Sequence, residues 1–173
     1  VFHDLEIGLR YHYDEEDRFQ WKDGYNMNSN GQMNLTTAAE RGSDANRISS
    51  AKAFAGSILY KLKYKNLTVK PGIRYEDIQL QRENFGSDDP NRNGADLSTR
   101  ENDLAVFIPG IGMNYKVNNQ TSIFVGIHKG FSPPGNEPEQ KAEESINYEI
   151  GSRFNFKGLQ GDIGGLYNDY SNL

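Results

Sequence analysis

The chain has 173 residues, a formal net charge of -5 and no cysteine, with 35% hydrophobic residues, 18 glycines and 10 tyrosines. That length suffices for one ordinary domain; lack of cysteine excludes disulfides and thiolate metal sites, and an acidic balance without a dense Lys/Arg run argues against a nucleic-acid surface. A mean hydropathy of -0.79 beside so much glycine and tyrosine points to a turn-rich, all-β chain rather than a helical bundle or a disordered tail.

The longest apolar stretch, residues 104–113, contains Pro109, Gly110 and Gly112 and falls far short of the roughly 20 residues of a membrane-spanning helix. Residues 1–4 already alternate and show no basic segment followed by an apolar run. No signal peptide is therefore visible, and the chain is expected to begin inside structure.

Period-two alternation predicts seven strands. The first, residues 2–13, sets Leu5, Ile7, Leu9, Tyr11 and Tyr13 against Glu6, Gly8, Arg10 and His12. After it, residues 14–17 are all acidic and read as a solvated charge run rather than a carboxylate pair for catalysis. The second strand, residues 51–64, sets Phe54, Ile58, Tyr60, Leu62 and Tyr64 against Ser57, Lys61 and Lys63. The third begins at Leu67 and sets Val69, Pro71, Ile73 and Tyr75 against Lys70, Arg74 and Glu76.

The connection that follows contains Asp89, Asn91 and Asn93 at alternate positions before Gly94, like the start of a calcium loop. Its twelfth position is Arg100, where a bidentate glutamate belongs, so a turn-rich loop is the plainer reading of a Ca2+ site at residues 89–94. The fourth strand, residues 102–116, carries Phe107, Ile111, Met113 and Tyr115. The fifth begins at Gln120, with Ile123, Val125, Ile127 and Phe131 opposed by Ser122, Gly126 and His128. In the sixth, Tyr148, Ile150 and Phe154 oppose Asn147, Glu149, Gly151 and Arg153; the seventh runs from Leu159 through Ile163 and Tyr167 to Leu173.

The connections are as informative as the strands. They alternate between long ones of about 36, 20 and 14 residues and turns of a few residues, whereas compact domains seldom hold several long structureless loops. Transmembrane barrels have this asymmetry, with short turns at one end and long loops at the other. Placing the short turns together sends Tyr64, Tyr115, Phe154 and Phe156 to one rim. Tyr11, Tyr13, Phe54, Tyr75, Phe107, Phe131, Tyr148 and Tyr167 then fall at the other, as two aromatic girdles would.

Arg10, Lys61, Lys63, Lys70, Arg74, Glu76, Glu149 and Arg153 suit a water-filled lumen, although alternation alone also fits a soluble β-sandwich. An open edge in lipid would leave backbone groups unpaired. Seven strands and a polar end at residues 170–173 therefore read as a slice of a larger barrel: all-β, an antiparallel transmembrane β-barrel segment. Pro71 and Pro109 sit inside proposed central strands, where each removes a donor, and a bulge at that level is the expected accommodation. His3, His12 and His128 lie on different strands without metal-ligand spacing, so no metal site is assigned to them. No nucleophile elbow or phosphate-cradling loop is present, and no enzymatic role is expected.

Four ordered stretches, residues 67–79 (LTVKPGIRYEDIQ), 122–135 (SIFVGIHKGFSPPG), 136–154 and 166–173, resemble the middle of the barrel of TonB-dependent outer-membrane receptors, and within them the ferric-citrate receptors. The resemblance implies a 22-stranded barrel of which residues 1–173 are a part, with the plug domain outside this chain. It implies a place in the bacterial outer membrane, lipid around the barrel, and uptake of a scarce ligand such as a ferric siderophore or ferric citrate. Energy would come from the TonB complex through the plug. The iron complex would be cargo, and no resident cofactor is implied.

On that pattern residues 130–134 end an ascending strand and Glu137, Pro138 and Glu139 form an outer crossing. Arg74, Glu76, His128, Glu149 and Arg153 line the lumen, Glu149 and Arg153 contacting the plug or each other. The ligand-contacting arginine of the resembling receptors falls on Arg47, with Arg41 the nearest substitute; Trp21, Phe19 and Tyr25 are placed to pack over a ligand or simply against their own loop. Two other readings stay open here: a small self-contained outer-membrane barrel, and a secreted β-sandwich binding module.

Overall fold

The structure, a computed structural model, describes residues 1–135 and 139–172. The expected crossing at Glu137 and Pro138 and the final Leu173 lie outside the described residues. Among those described, the strands are β1 Phe2–Gln20, β2 Gly24–Met27, β3 Met33–Thr37, β4 Ala45–Tyr64, β5 Leu67–Asn84, β6 Ser98–Lys116, β7 Thr121–Ser132, β8 Glu143–Phe156 and β9 Leu159–Ser171. Seven of them form one antiparallel sheet in the order β1-β4-β5-β6-β7-β8-β9, and β2 pairs with β3 as a separate hairpin.

All seven expected strands form, and sequential neighbours pair as expected. Directly opposed residues share a face, so the register gives the sidedness of every side chain. Leu5 opposes Tyr60, Ile111 opposes Ile127, Ile127 opposes Tyr148, and Tyr148 opposes Tyr167. This apolar face is left uncovered, with Ile7 66%, Phe107 61% and Ile163 71% exposed. A sandwich requires a second layer over that row; among the described residues none is there, which removes the β-sandwich reading.

The expected girdles lie on this same face. Tyr75 packs on Phe107 with ring centroids 4.9 Å apart and Tyr148 on Tyr167 at 5.9 Å, while Phe154 stacks on Phe156 at 5.9 Å at the short-turn end. Between the rows, Leu67 to Tyr75 and Phe107 to Tyr115 each span about nine residues, the length with which a tilted strand crosses a bilayer.

Several strands overrun their expected ends by many residues: β1 reaches Gln20, β4 starts at Ala45, β5 reaches Asn84 and β6 starts at Ser98. Alternation continues there but the polarity of the two faces is exchanged. Beyond the Tyr75–Phe107 level the formerly apolar face carries Glu15, Asp17, Gln79, Gln81, Glu83, Glu101 and Asp103. The opposite face now carries Ala55, Ile78 and Val106, which with Phe85 and Phe124 are the buried apolar residues among those described. A strand leaving hydrocarbon for water has no reason to keep its outer face apolar. The expected loop at residues 14–50 likewise contains strand and the β2–β3 hairpin, whose turn is tied by Asn28 Oδ1 accepting the Asn30 and Gln32 amides.

The bulge expected at Pro71 and Pro109 is not present. The β4–β5 register is the same on either side of Pro71, from Leu59↔Gly72 to Leu62↔Val69, with pairing lapsing between. The β6–β7 ladder stops at Gly110, one residue from Pro109. Each proline thus turns its donorless side to a neighbour and gives up pairing there instead of kinking the strand. At the short-turn end adjacent hairpins are tied to one another by Lys116 N–H to Asn66 O (2.9 Å) and Asn155 N–H to Gln120 O (2.8 Å).

Gly151 fills a place closed by its neighbours: a Cβ there would run into the Phe124 ring and lie 2.7 Å from the Ile163 carbonyl oxygen. Gly151→Ala is expected to destabilise the folded protein in detergent by about 1–3 kcal/mol, the cost of overpacking, seen as a lower urea midpoint. At Gly165 the nearest atom to an added Cβ is 4.0 Å away, and Gly165→Ala is expected to change stability by no more than about 0.5 kcal/mol.

Candidate functional site

The polar face surrounds a groove of about 580 Å³ whose floor is Gly72, Gly110, Gly112 and Gly126. Gly72 opposes Gly110 and Gly112 opposes Gly126 across the sheet, so the floor there is bare backbone. Arg74, His128, Glu149 and Arg153 stand around it. Glu76 shares their face and pairs with Arg74, Nη2 to Oε1 at 2.5 Å. The five residues expected to line a lumen therefore lie on one side of the sheet. Glu149 and Arg153 do not pair with each other: the Arg153 guanidinium lies 4.3 Å over the Phe124 ring, and Glu149 stands beside Gly126.

Toward the long-connection end the same face gathers arginines. Arg18 on β1 opposes Arg47 on β4, and Arg82 on β5 opposes both Ser49 on β4 and Arg100 on β6. Like charges directly opposed repel. Arg18 Nε donates to Gln20 Oε1 at 2.8 Å and Arg82 Nε to Ser49 Oγ at 3.3 Å. Arg47 Nε is buried without a hydrogen-bond partner. Among the described residues no carboxylate is ion-paired with Arg18, Arg47 or Arg82. Such a face offers planar, permanently charged donors to an anion.

Arg41 and Trp21 are elsewhere. They meet over Phe19, which faces the opposite side of the sheet beside Asn46; the Arg41 guanidinium lies 5.3 Å from the Phe19 ring and 5.8 Å from Trp21. The structure thus separates Arg47 from Arg41 and Trp21. What holds Phe19 is the β5–β6 connection folded back over β4. Arg92 caps Phe19 at 5.2 Å and Phe85 at 5.3 Å, and forks onto Asp17 through Nη1 (3.0 Å) and Nη2 (2.6 Å). Its Nε donates to Asn46 Oδ1 at 2.8 Å, while Asn46 Nδ2 donates to the Gly86 and Asp89 carbonyls at 3.0 and 2.8 Å. Gly42 makes room for the Phe19 ring with φ +84, a conformation natural to glycine.

In the calcium-like stretch the Asp89 oxygens accept the backbone N–H of Asn93 (2.9 Å) and Gly94 (2.7 Å) and so point into their own loop. The Asn93 amide above all, aided by those of Gly94, Ala95 and Arg92 against some desolvation, holds the Asp89 carboxyl below its ordinary 3.8. Among the described residues no three His, Cys, Asp or Glu side chains are grouped to hold a metal ion. The clasp of Asp17, Arg92, Asn46 and Phe85 was not among the sequence candidates, because its members are far apart in the chain. Arg18, Arg82 and Arg100 were within reach: extending the alternation past the aromatic girdle puts them on the face of Arg74.

A family profile described as TonB dependent receptor-like, beta-barrel, matches residues 2–173. Among solved structures, the ferric citrate transporter FecA in the unliganded form matches with a TM-score of 0.76 and 17% identity, over 97% of this chain and 24% of that one. The siderophore receptor PiuA from Acinetobacter baumannii matches with 0.65 and 14%, over 90% and 27% of the two chains. The ferric yersiniabactin uptake receptor FyuA from Yersinia pestis matches with 0.70 and 12%, over 99% and 26%. At such identities the likeness is one of fold, and the chain spans about a quarter of the length of these receptors. No curated protein matches.

The clasp has a pH signature. The hydrogen bond from Arg92, with its Coulombic attraction and against desolvation, holds the Asp17 carboxyl below its ordinary 3.8. A lowered folded-state pKa means the contribution is complete above 3.8 and is lost as pH falls through the lowered value. Amide exchange of residues 85–97, corrected for intrinsic rate, is expected to be unchanged at higher pH and to rise below 3.8. Asp17→Asn should produce the same opening at neutral pH; with the Asp17 side chain 56% exposed, the loss is about 0.5–1 kcal/mol after solvent screening.

Proposed function

The chain belongs to the TonB-dependent receptor β-barrel family, a family of receptors rather than enzymes, and from that premise we propose that it is a wall segment of a Gram-negative outer-membrane receptor that imports an anionic iron chelate. The uncovered apolar face meets lipid tails, the polar face meets the lumen, and the long connections face outward. The ligand is a ferric siderophore or a ferric citrate-like complex bearing carboxylates. Its uptake draws on the TonB complex through a plug outside residues 1–173. This segment has no catalytic part in that work, and neither nucleic acid nor a resident cofactor is involved.

The observation that carries the reading is the arginine row on the inward face at the outer end. Arg18 opposes Arg47, Arg82 shares their face, and among the described residues none of these three is ion-paired with a carboxylate, an arrangement that a bound polyanion relieves. Within this row it is Arg47 whose Nε is buried without a hydrogen-bond partner. Arg41 and Trp21 act in this reading as packing for the outer clasp, away from the ligand.

Binding of ferric citrate to the full-length receptor, measured by calorimetry, tests this. Arg47→Ala and Arg82→Ala are each expected to weaken binding about 10- to 100-fold, the loss of a charge-assisted hydrogen bond to a carboxylate. Arg47→Lys should recover only part, since an ammonium lacks the planar fork, and Arg41→Ala should stay within about twofold because its guanidinium snorkels over aromatic rings instead. Unchanged affinity in both alanine variants would sink the proposal for an anionic ligand at this row.

A further inference from the structure

Two arginines of the inward row, Arg18 and Arg82, are held differently from the arginines that serve the fold. Arg92 gives both Nη groups to the Asp17 carboxylate, and Arg74 gives Nη2 to Glu76. In those pairs the positive charge is offset and the fork is engaged. Arg82 and Arg18 are held through Nε by oxygens that bear no charge, Ser49 Oγ at 3.3 Å and Gln20 Oε1 at 2.8 Å. Among the described residues no acceptor engages the Nη groups of either. Both side chains are half-buried.

The choice of atom matters. A guanidinium has one N–H on Nε, at the stem side, and the rest on its two Nη groups. An acceptor at Nε fixes the plane of the group and leaves free the end-on edge formed by the two Nη groups, which matches a carboxylate. An uncharged acceptor does this without offsetting the charge. Ser49 on β4 stands in register with Arg82 on β5, so the hold comes from a neighbouring strand. Gln20 lies two residues from Arg18 on the same face of β1. A long side chain that is already aimed loses less rotamer freedom when a ligand arrives.

Folding alone gives no reason for this arrangement. A carboxylate at position 49 would hold Arg82 more firmly, as Asp17 holds Arg92, and would offset the charge of the neighbouring Arg47. Glu16, the acid that opposes Ser49 on this face, is ion-paired with none of Arg18, Arg47 and Arg82. The row is therefore kept both oriented and charged.

We propose that Ser49 and Gln20 are positioning residues of the ligand site: each aims one arginine by its Nε and leaves the charge and the Nη edge to a carboxylate of the incoming chelate. This rests on the reading of the row as an anion site, and adds that carboxylates meet Arg82 and Arg18 end-on. The Ser49 bond is part-buried and joins two strands, whereas the Gln20 bond is exposed and local to one. Ser49 is thus the stronger determinant of the two.

Rapid-mixing kinetics of ferric citrate with the full-length receptor in detergent, at several ionic strengths, test this. Ser49→Ala is expected to raise the dissociation rate about 3- to 10-fold, the loss of one hydrogen bond. Its association rate and the salt dependence of that rate should not change, because the charge that steers the encounter is intact. Ser49→Asp should also slow association and flatten its salt dependence, since Arg82 is then neutralised within the wall. Ser49→Thr, which keeps the hydroxyl, should restore slow dissociation, and Gln20→Leu should act as Ser49→Ala does but more weakly. A purely structural role would move the urea midpoint and both rates alike, without rescue by threonine, and overturns the proposal. So does unchanged dissociation in Ser49→Ala while Arg82→Ala weakens binding, an outcome that leaves the anion site standing. If Arg82→Ala leaves affinity unchanged, Ser49 has nothing to position and its role falls; if Arg47→Ala does so too, or the unsubstituted receptor does not bind ferric citrate, the anion reading falls with it.

Discussion

A peptide group in hydrocarbon has no water to turn to, and the rest of this molecule follows from that one constraint. Through the apolar band the strands are paired with their neighbours, with lapses where Pro71 and Pro109 lack a donor and at the sheet's two edges, β1 and β9. With the backbone satisfied by the ladder, side chains need not build a core. Few of the described apolar residues are buried, and one face is free to suit lipid while the other suits water. The membrane takes the place that a second protein layer holds in a soluble β protein.

The same constraint explains what was legible in the sequence. Alternation between Leu5 and Tyr13, or between Leu67 and Tyr75, reports two different media on the two sides of a strand, so strand identity, order and sidedness could be read directly. Strand ends could not. Past the girdle, at Gln79, Leu80, Gln81 and Arg82, both sides are wet or partly covered, the contrast weakens and then inverts, and a hydrophobicity-based reading stops while the ladder goes on. The short β2–β3 hairpin escaped for a related reason, since Gly24–Met27 and Met33–Thr37 are largely exposed strands with no covered face to leave a pattern. The prolines misled differently: the sequence shows that a donor is missing but not which neighbour it faces, and that direction decides between a bulge and a lapse in pairing.

Site legibility follows the same line. Arg74, Glu76, His128, Glu149 and Arg153 sit in regular strands, where parity alone assigns a face, and the structure has all five on one side. Arg47 turned out to lie in β4 and obeys parity too. Arg41 and Trp21 belong to irregular chain, where spacing carries no direction, and they pack on the opposite side over Phe19. The Asp17–Arg92 clasp was beyond reach because it is a tertiary contact between a residue hidden in an acidic run and one in a turn-rich loop. Contacts between residues so far apart in the chain leave no mark on composition or period.

Within the large sheet the register never shifts, from β1 through β9. Side chains repeat every second residue, so inserting or deleting a single amino acid inside any of these strands would turn every side chain between the lesion and the strand's end to the opposite face, setting charge against the apolar side within the apolar band. Changes in chain length are consequently confined by geometry to the connections, where a lengthened loop costs little conformational entropy. Diversification by size is thus concentrated at the mouth, and the staves can vary only in which amino acids they carry.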